Sequence, residues 1–508
     1  MLLSPLQCSN NPNWDAMFAD HKTETGSLPA LNPAWLKQYL PAYLWRENET
    51  PEEILAIQVL QVWWDEKRTT VLYQFRLREE AGLARDHLYV GYLVASERLR
   101  EEYQSALKRA KHQPPAGRAV TIVPEANLIL LAFPNDRKLR LFAQEEFDPW
   151  LKAKWRQHRA LLPQQARIKK WKLKGASYEV LRYVPDKRFT MRCHVSLQHK
   201  DGATKELSVI AKQVSDGKKA KKLFFSLLGL QAAWANLKKL TPKRLLELRK
   251  MPMPVRFPRP LGWDDERALV FLEELPGKNL EHMLAEVELA PMLYKVGAML
   301  ATFHQAPKRV RKRVTHKSEL KEVRLARREI VAVFPAWRAR LRELLLALKT
   351  LPGQEEAREV LLHGTFRLNH VFVHKGEPAL LDLDSLRMGL PAYDIANFLS
   401  ALYYFEAQGR LTVEQRVTIT SAFLQGYAAQ SEVAVTPASV LWFLVSLVLN
   451  KQASKYVTHH HPDRAQKLDR MLTLAEEAVV LCRSLSEAAT LATLGERLPK
   501  LSATFSRG

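Results

Sequence analysis

Two carboxylates stand two residues apart at the end of a short apolar run, Leu380-Leu381-Asp382-Leu383-Asp384. On an extended segment alternate side chains share a face, so Asp382 and Asp384 would point the same way. Hard oxygen ligands of that kind suit Mg²⁺. Upstream, His363-Gly364-Thr365-Phe366-Arg367-Leu368-Asn369-His370 gathers two imidazoles, a hydroxyl and an amide in one short loop. A threonine hydroxyl cannot serve as a general base near neutral pH, so Thr365 reads either as a polar filler or as a hydroxyl nucleophile or phosphosite. His363 is expected to brace the loop by hydrogen bonds. His370 is expected to be a buried, satisfied histidine before it is a ligand for a softer metal.

The elements around this loop change character along the chain. Residues 1–150 are expected to form a small α/β accessory domain, with strands over Thr69–Leu77 and His87–Val94 and a helix over Ser96–His112. A hairpin is expected from Ala119–Val123 and Leu128–Phe133, turning at Pro124-Glu125-Ala126-Asn127. Residues 151–172 form a basic bridge containing Lys152, Lys154, Arg156, Arg159, Arg167, Lys169, Lys170 and Lys172. Strands follow over Tyr178–Tyr183, Phe189–Leu197 and Leu207–Gln213, then a helix over Lys218–Leu237 and a strand over Ala268–Leu275. From about Glu281 the pattern is helical, broken by short strands around residues 371–384. The fold class is α+β, with a strand-rich lobe (173–275), a helical lobe (276–485) and a tail (486–508).

The loop resembles the aminoglycoside phosphotransferase and choline kinase-like family, whose usual form is HGDxHxxN, a hydrophobic-D-x-D/E step, then G-x-PxxDLA. Here the elements stand as Leu362-His363-Gly364-Thr365, Leu381-Asp382-Leu383-Asp384 and Gly389-Leu390-Pro391-Ala392-Tyr393-Asp394. The resemblance covers roughly residues 173–485 and implies a bilobal protein-kinase-like fold that uses ATP and Mg²⁺. It implies that Lys212, in Val209-Ile210-Ala211-Lys212, pairs the nucleotide phosphates from the third strand. It implies that adenine meets backbone near Glu273 and Glu274, and that Asp382 holds the metal. Asp394 is expected to brace the loop. The Gly297–His304 stretch is similar to the family's helix ending in Leu-x-x-x-His.

Departures from the family pattern are as informative. Thr365 occupies the catalytic aspartate's position, and loss of a general base costs about 10²–10⁴ in rate. The second metal ligand's position holds His370, with Asn369 one residue early. No glutamate occurs from Lys218 to Leu246 to pair Lys212, and Gln231 is the neutral candidate. The first turn, Pro185-Asp186-Lys187-Arg188, is not glycine-rich, so the side chains of Lys187 and Arg188 rather than bare amides would face the phosphates. Asp384 or a group of the substrate would have to replace the missing base, which a loose transition state tolerates.

Composition bounds the remaining classes. The chain has 508 residues, roughly three domains' worth. It carries 77 Lys+Arg against 54 Asp+Glu, a net of +23 that arises after residue 150. A basic body attracts polyanions. Nucleic-acid binding is an open alternative without a motif, because no aromatic interleaving accompanies the cluster from Lys308 to Arg328. Three cysteines, Cys8, Cys193 and Cys482, match no zinc or disulfide framework. His459-His460-His461 reads as an exposed tract rather than a zinc site. The strongest apolar run, Val440–Leu449, is about half the ~20 residues of a membrane span. It reads as a buried helix, and the expected location is cytoplasmic. The reading is a divergent ATP-dependent phosphotransferase acting on a small hydroxyl-bearing molecule. An ATP-binding pseudokinase that serves as a regulatory or scaffold module is the alternative.

Overall fold

The computed structural model describes residues 29–47, 49–65, 68–78, 82–158, 171–237, 248, 251–353, 358–458, 463–486, 488–498 and 500–501. The chain divides into two compact units. The first comprises Met1–Phe224, Pro260–Glu273 and Val457–Arg464; the second comprises Phe225–Arg259, Glu274–Tyr456 and Ala465–Gly508.

The first unit is built on two five-stranded antiparallel sheets. One has the order β1-β2-β3-β5-β4, from β1 (Glu53–Asp65), β2 (Arg68–Arg78), β3 (Ala84–Leu93), β4 (Val120–Val123) and β5 (Leu128–Ala132). The expected hairpin is present, with Asn127 at φ +49° in its turn. The other has the order β6-β7-β8-β10-β9, from β6 (Trp171–Val184), β7 (Arg188–His199), β8 (Thr204–Gln213), β9 (Pro260–Asp264) and β10 (Leu269–Glu273). The last strand begins one residue later than expected because Ala268 sits at φ +52°, in the turn from β9.

Side-chain alternation explains how these sheets pack. On β2, Val71, Tyr73, Phe75 and Leu77 point to a core that also holds Leu36, Leu40 and Leu44. Leu72 points the other way, into a core with Tyr92, Phe142 and Phe147 together with Tyr178, Phe189, Met191, Ala211 and Phe271 of the second sheet. The two sheets therefore share one apolar layer. Two helices flank it, α1 (Ser96–Arg109) and α2 (Gln144–His158). The first stops short of His112: Ala110 turns extended, and the Lys111 and His112 amides bond to Asn135 Oδ1 instead. Lys152 and Lys154 of the basic bridge lie on α2, while residues 159–170 are outside the described residues. Cys8 and His459–His461 are also outside them; Cys193 and Cys482 are buried and not in disulfides.

Helix α3 (Gly217–Trp234) runs from the first unit into the second, which is helical as expected. Its main elements are α4 (Leu289–His304), α5 (His316–Val333), α6 (Arg338–Thr350), α7 (Ala392–Ala407), α8 (Val413–Gln430), α9 (Pro437–Leu447) and α10 (Arg464–Ser484). Threonines cap several of them: Thr315 and Thr412 form reciprocal boxes with Ser318 and Gln415. The apolar run from Val440 is the buried body of α9, and none of the described helices is long and apolar enough to cross a membrane. Short strands β11 (Lys278–Asn279), β12 (Val360–Leu362), β13 (Val371–His374), β14 (Glu377–Leu380) and β15 (Arg387–Gly389) interrupt the helices and carry the loop of interest. The α+β class and the order of a strand-rich part before a helical part agree with the sequence expectation.

Candidate active site

The loop is closed on itself by two small sheets. Strand β12 pairs antiparallel with β15, with Val360 opposite Gly389 and Leu362 opposite Arg387. Between them β13 and β14 form a hairpin through Lys375 and Gly376. The segment after β12 and the segment before β15 therefore lie side by side. Gly364, at φ +84°, permits that approach: a Cβ there would stand 2.4 Å from Ser385 O.

Asp394, in the first turn of α7, braces the loop as expected. Its fully buried carboxylate accepts hydrogen bonds from His363 N (2.6 Å) and Gly364 N (2.8 Å) and meets His304 Nε2 at 3.2 Å. Burial alone would raise its carboxyl; the His304 hydrogen bond and charge, His363 and the Gly364 amide outweigh it and hold the carboxyl below its ordinary value. On its other face His304 Nδ1 lies 2.8 Å from Tyr427 OH, which fixes the ring.

His363 is buried, and its Nε2 donates to Leu381 O at 2.7 Å. A carbonyl only accepts, so the proton sits on Nε2 and Nδ1 is left as an acceptor. Burial pushes its pKa down against the opposing pull of Asp394, so the ring is neutral. Thr365 Oγ1 stands 3.5 Å from that Nδ1, and the Thr365 amide 3.4 Å. His370 stacks on His363 with centroids 5.3 Å apart and planes 20° from parallel. Its Nε2 accepts from Arg367 Nε at 3.2 Å and lies 3.4 Å from Asp382 Oδ2. The lone pair a metal would need is thus directed at a guanidinium.

Asp382 departs from the extended geometry expected of it. Its backbone is left-handed (φ +61°, ψ 49°), and residues Leu383–Ser385 form a 3-10 turn. A left-handed residue followed by a tight turn breaks the two-residue alternation, so Asp382 and Asp384 do not sit on one face of a strand. Asp384 is exposed on the turn, while the Asp382 side chain is four-fifths buried. Asn369 has an unpaired side-chain oxygen: its Oδ1 is buried without a hydrogen-bond partner, while its backbone carbonyl accepts from Asn279 Nδ2 at 2.8 Å. No group of three His, Cys, Asp or Glu side chains with metal-holding geometry occurs among the described residues. Mg²⁺ shared with phosphates needs only one or two protein carboxylates, and the oxygens of Asp382 and Asn369 fit that donor set.

The other sequence candidates lie in the first unit, except Glu274 and Gln231, which lie in the second. Lys212 is on β8, the third strand of its sheet, opposite Thr190 and Val270. Glu273 ends β10 opposite Val209. Lys187 and Arg188 are exposed at the β6–β7 turn. Sequence reasoning missed what holds that turn. Asp186 (φ +62°) accepts from Arg68 Nη2 at 2.9 Å and Tyr92 OH at 3.1 Å, and Arg137 Nε stands 3.6 Å away. Asp136 Oδ2 in turn accepts from Asp186 N (3.0 Å) and Tyr183 OH (2.7 Å). Burial first, then the Asp136 charge, raises the Asp186 carboxyl, and Arg137 and Arg68 pull it back. The Pro-Asp-Lys turn gave a signal for tight geometry but none for these distant partners.

Residues 236–433 match the family model described as the phosphotransferase enzyme family, APH. No curated protein matches the chain in sequence. Among solved structures, the chain is similar to a choline kinase from Cryptosporidium parvum Iowa II (13% identity, 67% of this chain and 97% of that one, TM-score 0.42). It is similar to a Plasmodium vivax ethanolamine kinase (11%, 66% and 91%, TM-score 0.40). It is also similar to the macrolide 2'-phosphotransferase MphH from Brachybacterium faecium (18%, 65% and 99%, TM-score 0.36).

Proposed function

We propose that this chain, whose residues 236–433 match the phosphotransferase enzyme family model, binds ATP with Mg²⁺ and transfers its terminal phosphoryl group to a hydroxyl of a small molecule. The observation that carries the reading is the braced loop. Asp394 fixes the amides of His363 and Gly364, next to Thr365, and His370 of the same loop lies 3.4 Å from Asp382. ATP supplies the phosphoryl group, and Mg²⁺ neutralises its charge. Asp382 and Asn369 are the oxygens that would hold the metal, and Lys212 is the cation that would pair the phosphates. Glu273 and Glu274 mark the backbone that would receive adenine, with Lys187 and Arg188 flanking the phosphates.

In the transfer the acceptor oxygen bonds to phosphorus as the phosphorus bond to the ADP oxygen breaks. The hydroxyl proton needs a receiver. Thr365 is unsuited, His363 is sealed by burial, and the exposed carboxylate of Asp384 is the candidate. Positioning and charge neutralisation outweigh proton removal in a loose transition state, so a distant or weak base still permits turnover. Thr365 at the base position and the pairing of His370 with Arg367 favour a second reading, an ATP-binding module without turnover.

The test is a melting titration with ATP and Mg²⁺, followed by measurement of ADP release. Ligand at ~100 Kd adds about 2.7 kcal/mol to stability. The wild type is expected to shift upward, and Lys212→Ala and Asp382→Ala to lose the shift. An unmoved wild-type melting curve at millimolar ATP·Mg²⁺ sinks the reading. Binding without ADP release across sugars, amino alcohols and aminoglycosides favours the module.

A further inference from the structure

Helix α9 does not end where its α-helical hydrogen bonds end. It continues as a π-helix over Val448–Ala453 and then as a short α-helix over Ser454–Thr458. π-Turns cost backbone geometry and concentrate at functional sites. This one carries Lys451, and the next turn carries Lys455.

Neither lysine forms an ion pair among the described residues. Lys451 Nζ donates to Tyr393 OH (3.1 Å) and Asn397 Oδ1 (3.4 Å). Lys455 Nζ donates to Gln452 Oε1 (2.6 Å) and lies 3.8 Å from the centroid of the Tyr404 ring. Both are only partly accessible, which is costly for an ammonium with neutral partners. Burial pushes Lys451 down to about 8 despite the favourable charges of Glu319 and Asp394, while Arg387 and Arg367 push it further. Lys455 is pushed well below its ordinary value by burial and then by Arg367, Lys451 and Arg410.

The surrounding groups do not supply the missing counter-charge. Glu319 is occupied by Asn450 Nδ2 (2.9 Å), with Ser446 Oγ at 3.5 Å, and burial raises its own carboxyl. Glu281 is taken by Arg410. Asn397 is nineteen-twentieths buried, and its Nδ2 has no hydrogen-bond partner. Arg367, whose charge reaches both lysines and Tyr404, stands two residues after Thr365 in the braced loop. One place in the second unit therefore gathers two lysines without carboxylate partners, an arginine of the loop and an orphaned amide donor. All four are donors.

We infer that the hydroxyl-bearing acceptor carries an anionic group, phosphate or carboxylate, held by Lys451, Lys455 and Arg367, with Asn397 Nδ2 as a further donor. An anion supplies the counter-charge that the two lysines lack and can accept from each of the four donors. A cationic acceptor would meet repulsion from Arg367 and from each lysine in its ammonium form. The inference rests on the phosphoryl-transfer reading for the word acceptor, but the anion site itself is tested without turnover.

Calorimetry on the full chain, with no nucleotide present, would use ribose 5-phosphate and gluconate as anionic probes. Ribose is the neutral counterpart and kanamycin the cationic one. The two anions are expected to bind at least tenfold more tightly than ribose or kanamycin. Lys451→Met and Lys455→Met are each expected to weaken anion binding at least tenfold, while the ATP-induced melting shift stays as in the wild type. Removing a partly buried ammonium is expected to leave the melting temperature unchanged or raised; Lys455→Gln provides the same readout if a methionine variant misfolds. Ribose or kanamycin binding as tightly as the anions, or anion affinity unmoved in the lysine variants, overturns the inference. Lysine-dependent anion binding in a chain that ignores ATP·Mg²⁺ supports the anion site and overturns the phosphoryl-transfer reading alone.

Discussion

Replacing Asp394 by alanine tests the brace directly. The carboxylate is fully buried and satisfies two buried amides, His363 N at 2.6 Å and Gly364 N at 2.8 Å. Removing the acceptor orphans both donors, and each buried unsatisfied donor costs about 1–3 kcal/mol. His304 loses its contact on one side, though Tyr427 OH still holds Nδ1. The sum for the two amides is about 2–6 kcal/mol, a large fraction of the ~5–15 kcal/mol that holds a folded domain. Asp394→Asn keeps one acceptor oxygen and is expected to lose about half as much. Denaturant unfolding gives the magnitude, and hydrogen exchange at His363 and Gly364 gives the location. The pH dependence has a definite sign. The folded-state carboxyl lies below its ordinary value, so its contribution is complete above that ordinary value, near pH 4. It is lost as pH falls through the lowered folded-state value. The gap between wild type and Asp394→Ala is therefore expected to be full at pH 6 and to close in strong acid. An Asp394→Ala chain within 1 kcal/mol of wild type at pH 6, with both amides still protected, would refute the reasoning.

Two other substitutions address the remaining elements. Thr365→Asp restores a carboxylate at the base position and is expected to raise ADP release by up to ~10²–10⁴ in a Mg²⁺-dependent way. An unchanged rate in a chain that binds ATP would show that the base is not what limits turnover. Asp186→Ala leaves Arg68, Arg137 and Tyr92 without their shared carboxylate, and breaking a buried pair from one side costs about 3–5 kcal/mol. A melting curve that does not shift downward would mean that this network contributes little to holding the β6–β7 turn.

The sequence alone determined the local events. Runs of β-branched and aromatic residues bounded by turn residues marked β2, β3, β7 and β8, and helical spacing marked α1 and the helical second unit. The order His363-Gly364, Asp382 and Pro391-to-Asp394 marked the braced loop, because each step depends on residues close along the chain. Tertiary structure decided what those residues meet. Asp382 is left-handed within the loop that β12 and β15 close, which no two-residue period can report. The partners of Asp186 come from 118 and 94 residues away, on strands whose apolar faces share a core with its own sheet. Lys451 and Lys455 carry no signal in the sequence; the π-turn and the contacts of Lys451 with Tyr393 and Asn397 of α7 partly bury them. Periodicity and turn chemistry are short-range and can be read along a chain. Desolvation and the pairing of charges depend on which distant surfaces exclude water together, and only the folded packing sets that.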